Sequence, residues 1–114
     1  MRKNFATANI DLVEFYLSRA ELQYANGLVR ESIQSAETAL SLRPNPERTV
    51  ALKLFIARAL SSLSEFDHSN KICRELITEN VYLPPIILGI LHNNLQLSRI
   101  EKSERNLGLI KLFV

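Results

Sequence analysis

One short pattern recurs three times in this chain of 114 residues: a small residue, an apolar one two positions on, a serine three further, and a small or apolar residue four beyond that. The stretches are Gly27-Val29-Ser32-Ala36, Ser64-Phe66-Ser69-Cys73 and Ser98-Ile100-Ser103-Leu107. Ser32, Ser69 and Ser103 lie 37 and 34 residues apart, which is the period of a two-helix unit. Such a unit cannot bury its apolar side alone and must stack on its neighbours. The pattern therefore predicts stacked helical hairpins and an all-α chain.

Turn chemistry agrees. Three glycines and four prolines are too few for an all-β architecture, which needs turn residues at every hairpin. A hydrophobic share of 46% with 23% charged residues is that of a folded domain, not of a disordered segment. Fourteen basic against twelve acidic side chains leave a net charge of +2, which gives no field for nucleic acid or anionic lipid. The most apolar window, Val81 to Leu91, is shorter than a membrane span and contains Pro84-Pro85. No apolar signal-peptide core follows Met1-Arg2-Lys3. A lone cysteine, Cys73, cannot form an internal disulfide and suits a reducing compartment, so a cytoplasmic location is expected.

Local signals divide the chain into a flexible lead-in over 1–8 and a single domain over 9–114. Asp11 is expected to cap a first helix reaching about Asn26, with Leu12, Phe15, Ala20 and Leu22 at spacings of three and four, and Gly27 ends it. A second helix over about 29–42 carries Ile33, Ala36, Ala39 and Leu40 on one face, before Pro44-Asn45-Pro46. A third, over about 47–62, presents Leu52, Phe55, Ile56, Ala59 and Leu60, and a fourth, ending near Thr78, presents Ile72, Cys73, Leu76 and Ile77. Pro84-Pro85 opens a fifth helix with Ile86 to Leu97, and Ile100 to about Leu112 form a sixth.

The three units, about 11–45, 46–80 and 81–114, resemble the tetratricopeptide repeat (TPR) family. The resemblance rests on the turn residues Gly27, Ser64 and Ser98, the small second-helix residues, Ala39-Leu40, and Pro44-Asn45 closing the first unit. Serine replaces the usual alanine at Ser32, Ser69 and Ser103. In the first helix two registers are open: one sets Tyr16 and Ala20 on family positions, the other Leu17, Ala20 and Tyr24. The resemblance implies a short solenoid of six helices whose first helices line a concave groove. Leu17, Glu21, Tyr24, Leu54, Arg58, Ser61, Leu88, His92 and Leu95 would line it. The family's lysine and asparagine clamp for a peptide carboxylate is missing, since Leu17, Glu21, Ala51 and Phe55 stand at its sites.

Residues that carry chemistry are sparse. His68 and His92 have no metal-spaced partners, and Cys73 has no paired histidine to make it a nucleophile. Gly27, Gly89 and Gly108 are isolated, so no phosphate loop is spelled. Arg99, Lys102, Arg105 and Lys111 alternate with Glu101 and Glu104, as on a solvated face. No catalytic residue, cofactor, metal or nucleic-acid partner is expected. Leu107, Leu109, Leu112 and Phe113 make the C-terminal helix apolar on several sides, which predicts a homo- or hetero-oligomer contact there. The expected function is a non-enzymatic adaptor that binds a protein or peptide segment or joins an assembly. The alternative is a sensing module of a transcription or signalling regulator whose output domain lies elsewhere.

Overall fold

The computed structural model describes the backbone of residues 5–79 and 84–113, and the side chains of residues 10–79 and 86–101. The described residues form five helices, α1 (Phe5–Ala25), α2 (Val29–Ser41), α3 (Pro46–Ser62), α4 (Phe66–Thr78) and α5 (Pro84–Phe113), and no strand. α1 and α2 form one antiparallel hairpin and α3 and α4 a second, with α2 packed on α3 and α4 on α5.

Both hairpin turns are built alike. Gly27 and Ser64, the small residues of the recurring pattern, have φ of 82° and 62°. Leu28 N–H donates to the Gln23 carbonyl at 2.8 Å and Gly27 N–H to Tyr24 at 3.1 Å. Thirty-seven residues on, Glu65 N–H donates to Leu60 at 2.9 Å and Ser64 N–H to Ser61 at 3.0 Å. This double closure satisfies carbonyls that the helix end leaves free and turns the chain back on itself. The entry to α3 is equally local. Pro46 supplies a fixed φ at the first helical position, and Asn45 Oδ1 accepts from Arg48 N–H at 2.8 Å. Asn45→Ala should cost about 1 kcal/mol, seen as a fall of about 4 °C in the thermal midpoint, and Asn45→Asp should keep most of it.

Two apolar clusters follow from this stacking. The first joins α1, α2 and α3 through Val13, Ala20, Ile33, Ala36, Ala39, Leu52, Ile56, Ala59 and Leu60. Its alanines let the helices approach closely, so Leu52 is fully buried between them. The second joins α3, α4 and α5 through Ala57, Cys73, Leu76 and Ile86. The predicted faces of the second, third and fourth helices coincide with these clusters. On the first helix Ala20 alone of the predicted face is in a cluster, while Leu12, Phe15 and Leu22 are exposed. The inward face carries Val13, Tyr16, Leu17, Ala20 and Tyr24, residues of both open registers. α1 has apolar residues on two sides, and periodicity does not choose between them.

The helix count also differs from the expectation. The fifth and sixth helices predicted over 86–97 and 100–112 are one continuous helix, so the described residues form two hairpins and a long α5 in place of three hairpins. The local sequence is nearly the same at both places, Leu63-Ser64-Glu65-Phe66 turning and Leu97-Ser98-Arg99-Ile100 running straight. A left-handed backbone costs a non-glycine residue about 1 kcal/mol. At Ser64 that cost is offset just downstream by buried Phe66 and by the Ser69 hydroxyl, which donates to the Ala57 carbonyl at 2.8 Å. Ser98, Arg99, Ile100 and Glu101 are exposed, and the backbone keeps its helical hydrogen bonds. At the other end α1 already begins at Phe5, so Asp11 lies inside it and the predicted lead-in is helical from residue 5 on; residues 1–4 lie outside the described residues.

Candidate binding groove

Residues of α3, α4 and α5 line an open groove of about 370 Å³. Its floor is apolar, with Leu54 and Ala57 of α3 and Cys73 of α4, and its walls carry Arg58, Ser61, His92 and Asn93. Arg58 and His92 are exposed, and the His92 ring meets buried Phe66 edge-on at a centroid distance of 6.4 Å. Burial raises the Cys73 pKa, so at neutral pH the floor carries a thiol and not a reactive thiolate.

A polar lock holds the groove's shape. Asn93 is 1% exposed and stands on α5 between His92 and Asn94. Its amide donates to Ser69 Oγ and to Asn70 Oδ1, both at 2.9 Å, while its carbonyl accepts from Ser61 Oγ at 2.8 Å. Asn70 in turn donates to Asn94 Oδ1 at 3.0 Å. Three helices are thus tied at one point. Among the described residues no buried side-chain polar atom lacks a partner. A fully satisfied network of this kind fixes relative helix positions, because any shift would strand a buried donor or acceptor.

Four of the nine residues predicted to line a groove, Leu54, Arg58, Ser61 and His92, come together here. The α1 residues do not join them. Leu17 and Tyr24 pack on the first cluster, the Tyr24 ring meets Phe55 at 5.7 Å and its hydroxyl pairs with Ser62 Oγ at 2.7 Å, which closes the space between α1 and α3. Glu21 is exposed on α1. Leu88 and Leu95 are on α5, exposed and outside the groove lining. The predicted interface residues Leu107, Leu109, Leu112 and Phe113 have side chains outside the described residues. Sequence reasoning missed Ser69 and Asn93 as groove residues. An Asn93-Asn94 pair amid leucines and isoleucines was the available signal, since a buried amide needs partners.

A second cavity of similar size lies beside the α2–α3 loop, where Arg48 Nε reaches Glu14 Oε1 at 2.6 Å. That ion pair joins its two charged walls to each other. Among the described residues no group of three His, Cys, Asp or Glu side chains is placed to hold a metal, and no helix is long and apolar enough to cross a membrane. No protein family, curated protein or solved structure matches this chain.

Proposed function

We propose that this chain is a non-enzymatic scaffold of TPR-like hairpins that holds a segment of a partner protein in the α3–α5 groove. The observation that carries this reading is the groove itself: an apolar floor, hydroxyl and amide walls, and the Arg58 guanidinium with the His92 imidazole at the rim. Such a surface suits an extended or helical segment that presents apolar side chains to Leu54 and an acidic group to Arg58. The rigid Asn93 lock supports it, since a preformed groove spends less of its interaction energy on ordering. A cytoplasmic setting fits the free, buried Cys73.

Immobilised protein incubated with lysate of the source cells should retain a defined partner. Arg58→Glu should reduce that retention at least about tenfold, the scale expected when an attractive charge contact is made repulsive. Glu21→Lys on α1 should leave it unchanged. Equal retention by wild type and Arg58→Glu would rule out the α3–α5 groove as the binding surface.

A further inference from the structure

The first helices of both closed hairpins bury the same face. On α1 it carries Val13, Leu17, Ala20 and Tyr24, which pack into the first cluster. Thirty-seven residues on, α3 carries Val50, Leu54, Ala57 and Ser61; the first three pack with Cys73 and Leu76 of α4, and Ser61 bonds Asn93. Thirty-four residues further, that register falls on Pro84, Leu88, Leu91 and Leu95 of α5. Here the face is bare. Leu88, Leu91 and Leu95 are 63%, 60% and 52% exposed, with Ile87 beside them at 49%. A contiguous apolar stripe of this kind marks a contact surface.

In the repeat pattern a helix following Ser98 would cover that stripe, as α4 covers α3. The chain contains the sequence for it, since Ser98-Ile100-Ser103-Leu107 repeats the Ser64-Phe66-Ser69-Cys73 of the α4 unit. Yet α5 runs unbroken from Pro84 to Phe113, about 45 Å at 1.5 Å per residue. Residues 100–113 are thereby carried away from the stripe on their own chain. We infer that the stripe is covered by a second copy of this chain, which lays its residues 100–113 antiparallel along it. The lengths fit, because Ser98 and Arg99 stand at the midpoint of α5 with fourteen residues on either side. Two α5 helices crossing there place each copy's C-terminal half on the other's N-terminal half. This is a closed two-fold exchange of identical elements, with the opened turn as its hinge. It is independent of the groove reading, because the stripe lies outside the groove lining.

Light scattering on the full chain should return twice the chain mass of 13.0 kDa. Leu91→Glu, on the stripe, should halve that mass with the helical circular-dichroism signal retained. Ile110→Glu, at the position that Leu76 holds one unit earlier, should do the same. A wild-type monomer overturns the inference, as does a dimer that survives Leu91→Glu. A dimer that survives Ile110→Glu overturns it too, because the copies then meet without exchanging residues 100–113.

Discussion

Leu52→Ala should destabilise the chain by about 3 kcal/mol, with the lost helical signal in a urea titration as the measurement. Leu52 is fully buried where α2 meets α3, in one cluster with Ile33, Ala36 and Ala39. Truncation removes the transfer free energy of its outer carbons and leaves a hole. Two of the three α2 residues in its cluster are alanines, which cannot reorient to fill the space. That seam joins the two hairpins, so both should loosen together in one transition. Leu22→Ala supplies the control: at 65% exposure on α1 the same chemical change should cost about 0.5 kcal/mol or less. A loss below about 1 kcal/mol at Leu52 would mean that α2 and α3 do not meet as described.

Asn93→Leu should cost about 2 to 3 kcal/mol although it makes the interior more apolar. The substitution deletes three hydrogen bonds and strands the Asn70 carbonyl, which is itself buried at 2% exposure. Ser69 suffers less, because its hydroxyl still donates to Ala57. Leaving a buried polar group alone costs more than removing both members of a pair. Asn93→Leu combined with Asn70→Leu should therefore be clearly less destabilising than the two single changes added together, and a double-mutant cycle by chemical unfolding measures the difference. Strict additivity would show that the two amides are not coupled. The Asn93 substitution should also weaken partner retention, because His92 and Ser61 lose the point that fixes α5 against α3.

Much of this fold was legible locally. Gly27 and the Pro44-Asn45-Pro46 run set helix ends through their own φ preferences and missing donors, which hold whatever surrounds them. The second helices were legible for a related reason. Ile33, Ala36 and Ala39, and likewise Cys73 and Leu76, lie on helices whose opposite faces are plainly polar, so periodicity admits one inward side. The groove was half legible, since the family resemblance implied Leu54, Arg58, Ser61 and His92 among nine lining residues and these four come together. Its closure between α1 and α3 depended on Tyr24 meeting Phe55 and Ser62, contacts thirty residues and more apart in the chain.

The repeat of turn and serine is thus what the sequence determined by itself: all-helical structure, the unit length and the first two turns, because helix period and turn conformation are set by near neighbours. Tertiary structure decided two things. It chose the inward face of α1, where apolar residues stand on both sides and only packing against Ile33, Leu52 and Ile56 discriminates. It also decided between turn and helix at Leu-Ser-x-Phe/Ile. Ser64 turns because buried Phe66 and the Ser69 hydroxyl offset the strained backbone, while Ser98 has exposed neighbours and stays helical.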